Sequence, residues 1–243
     1  MTGFCRVVSV VPLLAVLALP GSLAAQDKVQ DQGEADEKAV LLLDGSGSMW
    51  GQMDGVAKID MARDAVRDLL KSWDKEVQLG VTAYGHRAEA DCSDIEAMVP
   101  VGALDSDKVA GALDKIQPKG KTPIAASVRK AAESLNYKEE KATIILVSDG
   151  MENCNADPCA VAKELEAAAK DLTVHVVGLD VNDREMANVQ CIAENTGGRV
   201  FRTNTVSEFY DAMDEMPEAV AGEEPPAKAS DGEPAEEAAK GSQ

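Results

Sequence analysis

The sequence predicts an α/β fold: a doubly wound, mostly parallel central sheet with one antiparallel edge strand and helices on both faces. Three observations lead there. Two continuous apolar runs, Ala39 to Asp44 and Ala142 to Ser148, lack the alternation of a half-exposed strand and read as strands covered on both sides. Segments with apolar residues at three- and four-residue steps separate the strand-like runs, as amphipathic helices do. The link from Tyr84 to Ile95 is the exception. It is too short for a crossover helix and so predicts one antiparallel pair.

The first strand, Ala39 to Asp44, is followed by a helix over Ile59 to Trp73 that aligns Ile59, Ala62, Val66, Leu69 and Trp73 on one face. Val77 to Tyr84 is the second strand and Ile95 to Val101 the third. Pro100 cannot donate to a central ladder and sends that third strand to the sheet edge. A helix around Asp107 to Ile116 leads into the loop QPKGKTP, and another near Pro123 to Leu135 aligns Ile124, Val128, Ala131 and Leu135. After the strand Ala142 to Ser148, Asp157-Pro158 supplies a capping side chain and a proline for the first helical turn. Leu172 to Leu179 is a strand, the helix near Arg184 to Asn195 is stopped by Gly197-Gly198, and Arg199 to Arg202 is a short last strand. Thr205 and Glu208 have capping-box spacing, and Phe209, Met213 and Met216 mark the final helix. Right-handed crossovers carry the chain one way from the first strand and later back along its other side. A switch point therefore falls between the strands ending at Asp44 and Asp149, where ligands of open α/β sheets bind.

Four segments divide the 243 residues. Residues 1–24 read as an export signal: Arg6 is the positive start, Val7 to Leu19 the apolar run, and Ser22-Leu23-Ala24 the small-residue cleavage pattern. That run is well short of the roughly 20 residues a membrane-spanning helix needs. Residues 25–37 form a polar flexible leader, 38–216 the folded domain, and 217–243 a disordered acidic tail of Pro, Glu, Ala, Gly and Lys. The formal net charge of −19 repels phosphate backbones and anionic membrane surfaces, which makes nucleic acid a poor partner. Export places the protein in the periplasm or outside the cell. The four cysteines beyond the signal, Cys92, Cys154, Cys159 and Cys191, then read as two disulfides, a four-sulfur zinc site being the rival reading.

The stretch DGSGSMWG, Asp44 to Gly51, ends the first apolar run on a set of oxygen atoms. Asp44, Ser46 and Ser48 occupy the turn, with Gly45 and Gly47 permitting a tight backbone. Asp149 ends the neighbouring central strand, and Thr122 in GKTP opens a helix whose start faces the same crevice. Two carboxylates and three hydroxyls make a hard, all-oxygen environment suited to Mg²⁺, or Mn²⁺ in its place. Neutral hydroxyls leave such an ion waters and an open position.

These residues resemble the metal-ion-dependent adhesion site of the von Willebrand factor type A domain. Its pattern is D-x-S-x-S, then a threonine, then an aspartate. Asp44, Ser46, Ser48, Thr122 and Asp149 match every element in order, and the strand and helix plan agrees over about Lys38 to Met216. The resemblance implies that Asp44, Ser46 and Ser48 hold the metal, that Thr122 binds it directly in some states, and that Asp149 often does so through water. It also implies that a protein partner's Asp or Glu fills the vacant position. The YGHR stretch and the cysteine arrangement are similar to exported bacterial members of the family.

Around this site, Trp50 reads either as a rim contact for a partner or as cover for a helix end. His86 and Arg87 either line the site or make surface hydrogen bonds. His175, inside TVHVVG, reads as structural. The favoured disulfides are Cys92–Cys154, tying two upper loops, and Cys159–Cys191, joining neighbouring helices; Cys154–Cys159 with Cys92–Cys191 is the alternative. An enzyme is disfavoured: there is no G-x-S-x-G elbow, neither histidine has an evident nucleophile, and GKT lacks the first glycine of a phosphate-binding loop. The expectation is a metal-dependent protein-binding module, with a scaffold whose metal only fixes loops as the alternative.

Overall fold

The computed structural model describes residues 37–222. The expected export signal, the leader up to residue 36 and the tail from residue 223 lie outside the described residues. In chain order the elements are β1 (Lys38–Asp44), a 3₁₀ turn (Gly47–Trp50), β2 (Gln52–Met53), β3 (Val56–Ala57), α1 (Lys58–Ser72), β4 (Gln78–Tyr84), β5 (Ile95–Val99), α2 (Ser106–Leu113), α3 (Ile124–Ser134), β6 (Lys141–Ser148), α4 (Pro158–Ala168), β7 (Asp171–Leu179), α5 (Asp183–Asn195), β8 (Val200–Thr203), α6 (Val206–Asp214) and α7 (Met216–Val220).

Six strands form one sheet in the order β5-β4-β1-β6-β7-β8. Every pair is parallel except β4 with β5, the expected antiparallel edge. β1 and β6 are neighbours, so the switch point falls between the strands that end at Asp44 and Asp149. Alternation along β1 feeds both layers. Ala39, Leu41 and Leu43 join the core built with α1, α2, α6 and α7, while Val40 and Leu42 join the core built with α3, α4 and α5. Each fully buried Val or Leu of this kind contributes about 1.5–3 kcal/mol relative to exposure. The whole of β1 from Ala39 onward is buried, and it anchors the aspartate at its end.

Caps fix where helices begin. Asp157 accepts from the Ala160 N–H with Pro158 in the first turn, and Thr205 accepts from the Glu208 N–H. The Glu208 carboxylate accepts from the Asn204 N–H instead of the capping residue's own, so that box is half closed. A complete box at Asn182 and Glu185 was not foreseen. β5 stops at Val99, just before Pro100. The domain boundary expected at Met216 is corrected: α7 carries Ala219 and Val220 into the core, so ordered structure continues into the stretch read as tail. The β2–β3 hairpin also went unread. Its turn, Asp54-Gly55, has φ of 50° and 83°, the pattern of the tight primed turn that Asp-Gly favours.

Candidate functional site

Strand register builds the site. Asp44 lies opposite Tyr84 on β4, and Leu43 lies opposite Val147 on β6, which brings Ser148 beside Asp44 on the other flank. Residues in register share a face, so three polar side chains meet at the C-terminal edge of the sheet. The buried Asp44 carboxylate accepts at Oδ2 from Ser148 Oγ (2.6 Å) and Tyr84 OH (2.8 Å), and at Oδ1 from the Ser46 N–H (2.7 Å). Burial above all, with the Asp44 charge next, holds the Tyr84 phenol well above its ordinary range, so its hydroxyl stays a donor.

The turn that follows carries the serines. Met49 N–H bonds back to the Ser46 carbonyl and Gly51 N–H to that of Ser48, winding the 3₁₀ turn, while the buried Met49 side chain pins it to the core. Ser46 Oγ lies 2.9 Å from Ser48 Oγ, and Ser48 Oγ donates to Asp149 Oδ1 at 2.7 Å. The other Asp149 oxygen, Oδ2, lies 3.2 Å from Lys58 Nζ. Asp149 is pushed up to about 6, first by burial and then by the Asp44 charge, against the pull of Ser48 and Lys58. Asp44, Ser46, Thr122 and Asp149 are buried, whereas Gly47 and Ser48 are exposed, so the cluster opens to solvent at Ser48.

Thr122 sits on an adjoining loop. Its N–H donates to Asn153 Oδ1 (2.8 Å), Asn153 Nδ2 donates to its hydroxyl (3.3 Å), and the Asn153 N–H donates to its carbonyl (3.3 Å). That loop joins the serine turn through Gly47 N–H to the Gly120 carbonyl, and Lys119 N–H to the Gly45 carbonyl. Gly120 N–H in turn bonds the Gly85 carbonyl at 2.7 Å. The contact demands glycine: Gly85 has φ of +66°, and a Cβ there would stand 2.3 Å from the Lys121 carbonyl oxygen. YGHR thus serves as backing for the serine-bearing turn. Asp44, Ser46, Ser48 and Asp149 form one hydrogen-bonded group, with Thr122 held beside it and its hydroxyl bound to Asn153.

The donor set can be tested against a divalent cation. Metal–oxygen distances of 2.0–2.1 Å in an octahedron place adjacent ligand oxygens about 2.9 Å apart. The Ser46–Ser48 and Ser48–Asp149 oxygen pairs lie at 2.9 and 2.7 Å, which fits. Two neighbouring buried carboxylates also favour a positive charge between them. Among the described residues no three His, Cys, Asp or Glu side chains cluster as a metal site, so any ion held here would depend on the serine and threonine hydroxyls as well as the two carboxylates.

The flanking residues separate. Trp50 is 51% exposed and its Nε1 donates to the Pro118 carbonyl, which fixes the indole over the Thr122 loop. His86 is corrected: at 5% exposure it is no rim residue, and its Cβ packs where a Gly45 side chain would go. Burial lowers its imidazole pKa. Arg87 is half exposed, but its guanidinium pairs with Asp94 and Glu96. His175 is structural, as expected. It is buried, its Nδ1 accepts from the Arg199 N–H, and burial pushes it down to about 4. Cys92–Cys154 and Cys159–Cys191 are both bonded, as favoured. The first ties the loop after β4 to the segment that carries Asn153.

Sequence reading missed Tyr84, Ser148, Lys58 and Asn153. The first two were recoverable by aligning strand ends in register. Lys58 and Asn153 carried no signal, because each acts through a contact across the sheet's upper loops.

Comparison with known proteins agrees with this architecture. Residues 39–152 match the family model of the von Willebrand factor type A domain. The uncharacterized protein YwmD of Bacillus subtilis (strain 168) is 28% identical over 215 residues, 84% of this chain and 93% of YwmD. Among solved structures, a von Willebrand factor type A protein from Catenulispora acidiphila superposes with a TM-score of 0.64 at 17% identity. That match covers 78% of this chain and 44% of the other, so this chain spans less than half of it. The pilus adhesin SpaC of Lactobacillus rhamnosus GG gives 0.64 at 16% identity over 78% of this chain and 31% of SpaC, again a minor part of the larger protein. The family model over residues 39–152, the sheet order and the fold likeness agree in their similarity to the von Willebrand factor type A domain.

Proposed function

We propose that this is an exported protein-binding module whose contact with its partner runs through a divalent cation. Asp44, Ser46, Ser48, Thr122 and Asp149 hold Mg²⁺, or Mn²⁺ in its place, and an Asp or Glu of a protein partner completes the shell. The single observation that supports this best is the run of oxygen contacts from Ser46 through Ser48 to Asp149, at spacings an octahedral ion accepts, opening to solvent at Ser48. When bound, the ion supplies a Lewis-acidic position for a carboxylate. The protein's own part is positional: Tyr84 and Ser148 hold Asp44, Asn153 holds Thr122, and the glycine contacts bring the loops together.

The two disulfides set the domain in an oxidising compartment outside the cytoplasm, and no helix among the described residues is long and apolar enough to cross a membrane. SpaC, with the same fold, is a pilus adhesin, which favours a protein-interaction role over catalysis. Trp50 is the candidate rim contact, an exposed and hydrogen-bonded indole beside the opening. The strong negative charge repels acidic partners at long range, but screening limits that to about 8 Å at physiological salt. A pull-down from cell envelope in Mg²⁺ and in chelator tests the reading. The partner should be released by chelator and by Ser48→Ala with the fold intact; unchanged retention contradicts it.

A further inference from the structure

Lys58 occupies a position that the helix itself disfavours. It is the first residue of α1, where the helix dipole repels a cation and no side chain caps the helix. Its side chain is nonetheless 9% exposed, with Nζ 3.2 Å from Asp149 Oδ2 and 3.2 Å from Asp180 Oδ2. Lysine is rarely buried unless paired. Here the pairing reaches from the start of α1 to the ends of β6 and β7, and it consumes the Asp149 oxygen that Ser48 does not touch. Asp180 itself adopts φ of 50°, an uncommon backbone state for aspartate. Its carboxylate is half exposed, so Asp149, with a side chain of 0% exposure, is the partner most dependent on the ammonium.

We propose that Lys58 is a built-in counter-cation for the Asp44–Asp149 pair, a positioning residue that holds Asp149 in place and competes electrostatically with a divalent ion for it. This rests on the metal reading above in one respect only, the competition; the support of Asp149 stands independently of any metal. The chemistry follows from charge. A buried carboxylate pair needs positive charge nearby, and Lys58 provides one fixed unit of it. A divalent ion entering the cluster must then tolerate that unit. Metal affinity is set lower than the oxygen donors alone would give, which makes occupancy responsive to ion supply.

The test uses the full chain as wild type, Lys58→Met, Asp149→Asn, the double variant and Lys58→Arg. Thermal unfolding is followed in chelator, and Mn²⁺ uptake at pH 8. Lys58→Met should unfold at lower temperature in chelator, or fail to fold, and adding Asp149→Asn should restore most of that loss, because the uncompensated carboxylate is then gone. Lys58→Met should also take up Mn²⁺ at least about fivefold more tightly than wild type, as expected when a like charge beside the ion is removed. Lys58→Arg should stay near wild type in both. Additive losses without rescue by Asp149→Asn overturn the counter-cation role. Weaker or unchanged Mn²⁺ uptake in folded Lys58→Met overturns the competition. Rescue in chelator combined with no Mn²⁺ uptake by any variant supports the counter-cation role and contradicts both the metal reading and the competition that rests on it.

Discussion

Removing the Tyr84 hydroxyl tests whether the site is held by its hydrogen bonds or merely by packing around it. In Tyr84→Phe the ring stays and Asp44 Oδ2 loses its 2.8 Å donor, leaving Ser148 Oγ at 2.6 Å. Both Tyr84 and Asp44 are 0% exposed, so water does not replace the lost donor. A hydrogen bond to a charged, buried acceptor contributes about 1.5–3 kcal/mol, and we expect a loss of about 2 kcal/mol. For a domain of this size that lowers Tm by about 4–8 °C. Urea unfolding in chelator measures the loss without interference from metal. The same substitution in an Asp44→Asn background should cost about 1 kcal/mol or less, because the acceptor no longer carries charge. An equal loss in both backgrounds would show that only the volume of the hydroxyl matters, and the account of how Asp44 is held would be wrong.

Three further outcomes follow from the same contacts. Asn153→Leu removes two side-chain bonds to Thr122, so Mn²⁺ uptake by titration calorimetry should weaken about tenfold while Tm changes little. His175, pushed down to about 4 from an unfolded value near 6.5, contributes stability that is fully present above pH 6.5 and is lost as pH falls toward 4. The amount is about 3 kcal/mol, read as the difference in acid sensitivity between wild type and His175→Asn. Asp149 is shifted the opposite way, upward, and acts through the metal. Its folded-state value of about 6 means that metal must displace a proton in acid, so Mn²⁺ affinity should fall by up to tenfold per pH unit below 6 and level off above it.

Most of the fold was legible because its signals are local or periodic. The two uninterrupted apolar runs announced central strands, the short Tyr84 to Ile95 link announced an antiparallel pair, and Pro100 placed that pair at the edge. The end of the domain was misjudged because Met216-Pro217-Glu218 has the composition of the tail. Proline at the start of α7 is compatible with a helix, and packing of Ala219 and Val220 decides the matter. The Asp54-Gly55 hairpin was readable from its turn signature, but strands of two residues leave no periodicity to notice. At the site, residue type and order picked out Asp44, Ser46, Ser48 and Asp149, which share one hydrogen-bonded group, and Thr122, which is bonded to Asn153. Their supports were hidden, since Tyr84 and Ser148 matter only through register with Asp44, and His86, open in sequence to lining the site or bonding at the surface, is buried behind Gly45.

The central claim is that these side chains hold one divalent cation. Calorimetric titration of the purified protein with Mn²⁺ at pH 7.5, beside Asp44→Ala and Ser48→Ala, tests it most directly. The account predicts a single site filled at or below millimolar Mn²⁺ in wild type and lost in both variants, each still folded. Absence of uptake by the wild type at millimolar Mn²⁺ or Mg²⁺, or uptake unchanged in Asp44→Ala, contradicts it.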